Sequence, residues 1–171
     1  LALDKAGLLA KSIYKAQTEN IWLIPIWIIV LIVGGYIVGN MIKKNPMISG
    51  SGIPQVEGIL MGHLNMNWWR VIVEKFVGGV ICITAGLSLG REGPSIQLGA
   101  AVGQGFSRIF KRIKIEEKYL ITSGASAGLA AAFNAPLAGV IFALEEVHKN
   151  FSPLVLISTM SASLVADFVS K

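Results

Sequence analysis

The chain has 171 residues, of which 53% are apolar and only 15% charged, with a mean hydropathy of +0.64 and a net charge of +5. A soluble domain of this length carries far more charge, so the composition excludes an ordinary water-soluble fold. The basic excess does not indicate nucleic acid either: lysines and arginines stand in short clusters between apolar runs, without interleaved aromatic residues.

Residues 1–18 read as a helix with Lys5, Lys11 and Lys15 on a wet side. No charged residue lies between Glu19 and Lys43, a stretch long enough to cross a hydrocarbon core of ~30 Å as a helix. Trp22 and Trp27 bracket the start of that span and Trp68 and Trp69 precede the next, positions that suit a membrane–water interface as well as ordinary packing. Residues 49–54 form a glycine-rich break from which a helix starts at Pro54. A helix over 70–89 follows, interrupted by Gly78 and Gly79. A second break at 90–94 leads into a helix over 94–110, then a basic loop with Arg108, Lys111, Arg112, Lys114 and Lys118. No charge lies between Lys118 and Glu145. That run is too long for one span, and it reads as helical pieces over 119–132 and 136–149 joined at Phe133-Asn134-Ala135. A helix over 152–170 closes the chain.

Small residues recur four apart, Gly99 with Gly103, Gly124 with Gly128 and Ala127 with Ala131, a spacing that lets membrane helices approach closely. The basic clusters at Lys43-Lys44, 108–118 and His148-Lys149 share one face if an even number of passes separates them, which predicts a multi-pass protein with that face cytoplasmic. The expectation is one all-α integral membrane domain over 1–171, with broken and re-entrant helices. Leu1 is not an initiator methionine, so the chain reads as a piece of a larger protein. Cys82 lies in an apolar run and reads as inert packing, and His63 and His148 are too far apart in sequence to suggest a metal pair.

Two loops carry candidate chemistry. In Gly50-Ser51-Gly52-Ile53-Pro54, glycines permit an unusual backbone and proline suits the first helical turn, so free amides at a helix N-terminus converge where an anion is favoured. Ser51 adds a hydroxyl donor. Alone this is a weak signal, because such turns are common. Gly90-Arg91-Glu92-Gly93-Pro94 repeats the design with two ionisable residues inside an apolar sequence, each costing ~2.5–3.5 kcal/mol at a bilayer centre. Such residues belong in a bundle interior or an aqueous pathway. A surface Arg91–Glu92 pair is the bland alternative. If both N-termini serve one anion, the carboxylate of Glu92 competes for it when charged and leaves when protonated. On residues alone, Glu145 and Glu146 read equally as a solvated helix end beside Lys149.

These loops, followed by Gly128-Leu129-Ala130-Ala131-Ala132-Phe133-Asn134-Ala135-Pro136-Leu137-Ala138-Gly139 and then Glu145-Glu146, closely resemble the CLC family of chloride channels and chloride/proton exchangers. The resemblance implies a CLC-type inverted-repeat fold with only the first repeat present, starting within its second helix. It implies homodimers in a lipid bilayer with one pore per subunit, the last two helices contributing to the dimer interface. It implies chloride and protons as partners, chloride as the transported ligand, no cofactor, and a cell-membrane location, taken as a bacterial inner membrane. Ser51, Gly52 and Ile53 match one part of the anion site, and Arg91, Glu92 and Gly93 the other. Glu92 matches the gating glutamate, Glu146 the internal proton-transfer glutamate, and Lys75 and Glu57 charged residues near the pathway. Serine at position 51 favours chloride over nitrate, and an acid at 146 favours exchange over passive conduction. The family's Gly-x-Phe-x-Pro loop and pore tyrosine belong to its second half and do not occur here. The expected function is therefore proton-coupled chloride antiport. The competing readings are a passive channel of the same fold and a non-conducting structural fragment. An enzyme is remote, since no nucleophile–base pair is evident.

Overall fold

The computed structural model of the protein describes residues 2–19, 22–87, 90 and 92–171, and the regular elements among these are all helices. In chain order they are α1 (Ala2–Glu19), α2 (Leu23–Lys44), α3 (Ile53–Leu60), α4 (Trp68–Thr84), α5 (Glu92–Ile109), α6 (Lys114–Phe133), α7 (Pro136–Phe142) and α8 (Pro153–Ser170). A 3₁₀ turn, Pro46–Ile48, follows α2, and a π-helical segment, Ala143–His148, continues α7.

The outer surface is more apolar than that of a protein folded in water. Every described residue of α2 is half-buried or exposed, and Ile24, Ile28, Ile29, Ile32 and Val33 all face outward. Leu154, Ile157, Leu164 and Val165 do the same on α8. These two helices are long and apolar enough to cross a bilayer. Inside lie Gln97, Gln104, Ser107, Thr122, Ser126, Thr159 and Ser163, with Ser126 and Ser163 hydrogen-bonded at 2.6 Å across α6 and α8. Apolar residues line the outside because lipid is the expected solvent, and some of the interior hydroxyls are bonded within, Thr122 and Thr159 to carbonyls of their own helices and Ser126 to Ser163.

The centre of the fold is the α5–α6 pair. A Cβ added to Gly99 would overlap the carbonyl of Gly124, one on Gly124 the carbonyl of Gly99, one on Gly103 that of Leu120 and one on Gly128 that of Ser95. The backbones touch because these positions lack side chains, as expected for the Gly99–Gly103 and Gly124–Gly128 pairs. Val56, Val71, Ile96, Ala100, Ile121 and Ala125 pack around this pair from α3 to α6.

Several boundaries differ from those expected. α4 ends at Thr84 rather than 89, because Gly86 adopts φ +80. Leu87 N–H then donates to Cys82 O at 3.1 Å and Gly86 N–H to Ile83 O at 3.0 Å, the paired bonds of a Schellman stop. α5 begins at Glu92, so Pro94 lies within the first turn instead of opening it; amide hydrogens there have no intrahelical acceptor, and their loss costs little. α6 starts inside the expected basic loop, at Lys114, with Glu116 and Glu117 in its first turn favourably placed against the helix dipole. The break between α6 and α7 falls where expected. Asn134 is left-handed at φ 54, and Ala135, preceding Pro136, is held out of helical geometry.

Candidate anion site and the charged end of the fold

The loop 49–52 is shaped by its glycines. Gly50 and Gly52 have φ +60 and +89, in the left-handed region. Ile53 and Pro54 then open α3, and Ile53 N–H lies 3.4 Å from Ser51 Oγ. Lys75, only 6% exposed, reaches up from α4 and donates to Ile48 O at 2.9 Å and Gly50 O at 2.7 Å. The ammonium thus holds the loop's carbonyls on one side. That geometry places Lys75 against the backbone of the loop, a more specific position than a charge near a pathway. Behind the loop, a cavity of about 180 Å³ is lined by Ile48, Gly50, Glu74, Lys75, Cys82 and Pro94 among others.

The second glycine–proline segment meets the first. A Cβ on Gly93 would stand 2.7 Å from both Ser51 O and Ser51 Cβ. The N-terminus of α5 therefore abuts Ser51, two residues before α3. Glu92 is the first residue of α5; it is exposed, and its carboxylate folds back over Gly90. The structure brings together Ser51, Gly52, Ile53, Glu92 and Gly93. Arg91 lies outside the described residues.

Gln97 was not singled out by sequence and sits at the middle of this junction. It is fully buried on α5, its Nε2 donates to Met47 O at 2.7 Å, and its side chain fills the space a Cβ on Gly52 would need. Its Oε1 finds no hydrogen-bond partner among the described residues. The available signal was a glutamine inside an apolar helix, where a polar amide demands a partner.

Glu57 and Glu146 lie elsewhere, at the end of the fold where α3, α6 and the π-helical segment meet. Glu146 is exposed on that segment. Glu57, on α3, pairs with the ammonium of Lys149, three residues beyond Glu146. The hydrogen bond to Glu57 raises the Lys149 ammonium above the ordinary lysine range. Partial loss of hydration opposes this, and the charges of Glu57 and Glu146 add to it. Next to it, Thr122 Oγ1 lies 2.8 Å from Lys118 O and 2.9 Å from His148 Nδ1, within hydrogen-bond reach of both. A cavity of about 360 Å³ opens beside Lys118, Tyr119, His148 and Lys149. Among the described residues no group of three or more His, Cys, Asp and Glu side chains is arranged to hold a metal.

The family model described as "Voltage gated chloride channel" matches residues 29–171. The chain is 38% identical to the H(+)/Cl(-) exchange transporter ClcA of Vibrio cholerae, over 88% of this chain and 36% of that protein. It is 41% identical to the protein of the same name from Vibrio vulnificus, over 89% of this chain and 36% of that one, and 43% to that of Cronobacter sakazakii, over 80% and 30%. Among solved structures, a slow cyanobacterial Cl⁻/H⁺ antiporter aligns with 99% of this chain and 45% of its own, at 36% identity and a TM-score of 0.75. The chain thus spans about a third of the length of the curated relatives it matches, and these relatives are transporters, not enzymes. By its sequence and by its all-helical fold, the chain belongs to the voltage-gated chloride channel, or CLC, family of membrane proteins.

Proposed function

We propose that the native protein carrying this chain is a multi-pass, dimeric chloride/proton antiporter of the cell membrane, and that this chain supplies the first of its two repeats. The observation that carries the reading is the contact of Gly93 with Ser51, which sets two glycine-led helix N-termini at one point. Peptide dipoles leave about half a positive charge at each such end, and two ends at one point favour an anion more than either alone. Chloride is held by the Ser51 hydroxyl and the amides around Gly52 and Ile53 on one side, and by those of Arg91, Glu92 and Gly93 on the other. Lys75 keeps the carbonyls of the first loop turned away from the anion.

Glu92 is the gate. Its charged carboxylate takes the place of an anion, and its protonated form carries no charge to compete and swings aside. Glu146 passes protons between the cytoplasm and this site, with Glu57 beside the route. The names of the relatives, each an H(+)/Cl(-) exchanger, support antiport over passive flow. The second repeat completes the coordination of chloride.

The test is chloride efflux from liposomes holding the native protein, with simultaneous pH recording. Proton uptake accompanies efflux in the unmutated protein and disappears in Glu92→Ala and in Glu146→Gln, while chloride still moves. Chloride flux without proton movement in the unmutated protein would leave a passive channel and make Glu146 a solvated helix end.

A further inference from the structure

Lys149 is the C-terminal cap of the π-helical segment, and it sits in the left-handed region at φ 53. Glycine or asparagine adopts that conformation more readily than lysine. A lysine there gains little from the backbone, so its side chain is what distinguishes it. That side chain crosses to α3 and pairs with Glu57, 92 residues earlier in the chain. α3 is the helix that Ser51 and Gly52 lead into. Lys149 also lies within the electrostatic reach of Glu146.

From this we infer that Lys149 is a positioning residue that ties the anion-site helix α3 to the segment bearing Glu146. It thereby holds the proton-transfer carboxylate in register with the chloride site. The inference rests on the antiporter reading and extends it to a residue outside the anion loops. The other charged and titratable groups at this end are Glu145 and His148 on the π-helical segment, and Lys118 and Tyr119 on α6. α7 carries no charged residue, and the only one in α8 is Asp167, near its far end. Glu57 is the carboxylate that Lys149 contacts directly, so the tether is specific to α3.

The test uses the native protein in liposomes, with proton and chloride flux recorded together. Lys149→Asn suits the left-handed backbone and removes the ammonium together with its reach to Glu57, while Lys149→Arg keeps both charge and reach. The number of protons moved per chloride should fall in Lys149→Asn, by up to about fivefold if it follows the tethered population that an exposed ion pair holds. Chloride flux and thermal stability should stay near their original values. Lys149→Arg should restore the ratio. Glu57→Gln should lower it similarly, and the double variant Glu57→Gln/Lys149→Asn should lower it no further. An unchanged ratio in Lys149→Asn overturns the inference while leaving antiport intact. So does a fall that Lys149→Arg does not rescue, or losses that add in the double variant. If the unmutated protein moves no protons, the antiporter reading fails and this inference fails with it.

Discussion

Gly52 is under two constraints at once. Its φ of +89 is one that a side chain resists, and the space its Cβ would take is filled by buried Gln97. Gly52→Ala should therefore cost about 1–3 kcal/mol, read as a lower melting temperature of the detergent-solubilised protein, and should weaken chloride binding measured by calorimetry. The residues of this junction differ in how far they could be read from sequence. Ser51, Gly52 and Glu92 announce themselves, since glycine–proline spacing and an acid in an apolar run are local patterns. Gln97 and Lys149 do not. Their partners, Met47 and Glu57, are 50 and 92 residues away, and no local pattern encodes a contact across that separation. The hydrogen bond and charge of Glu57 raise the Lys149 ammonium above the ordinary lysine range, so the lysine's half of the pair is lost only at strongly alkaline pH, and the pair holds wherever the Glu57 carboxylate is charged. The tether therefore stays in place at neutral pH.

Among elements, the α5–α6 pair allows the firmest expectation. Gly99 and Gly124 each occupy the place where the other's Cβ would point, and their obstacles are backbone carbonyls, which cannot rotate away as side chains do. Gly124→Ala should destabilise the protein by about 1–3 kcal/mol, while Ala127→Gly, on the half-buried face of the same helix, should cost about 1 kcal/mol through helix propensity alone. Thermal unfolding followed by tryptophan fluorescence separates the two. The recurrence of small residues already pointed to this packing. Element ends were less legible. The stop of α4 depends on Gly86 turning left-handed against the ring of Tyr14, whose hydroxyl donates to Ala85 O at 3.0 Å. That contact comes from α1, 71 residues away, so the uncharged run through 89 suggested a longer helix than forms. The start of α6 was hidden for the opposite reason. Its charged first turn looked like a loop because charge was read as solvent exposure, whereas Glu117 lies 3.5 Å from Arg108 at the end of α5.

For the molecule as a whole, the apolar exterior and the two long apolar helices, together with the family, fit a lipid environment. Ile29 on α2 faces outward, without a charge in its helix before Lys43. Ile29→Lys should impede membrane insertion by about 2.5–3.5 kcal/mol, whereas Ile29→Ala should be tolerated; the fraction of protein recovered in membranes tests this. The membrane character was legible from composition, a property of the whole chain, and the family from short motifs, among them the two glycine–proline loops, whose residues are neighbours in sequence. The arrangement of charge at its end was not, since it depends on how three separate elements meet.

The π-helical segment Ala143–His148 fits more residues into a turn than an α-helix does. It is in effect an insertion already absorbed by the helix. Removing one residue from it would let the ordinary α-helical winding continue, and the end of the segment would then turn by about 100° around the axis. Lys149 would swing off Glu57, whereas α8, which starts afresh at Pro153 after a non-helical connection, need not turn with it. The wide turn thus works as a phase setting for Lys149: the length of this short segment decides which way that side chain faces.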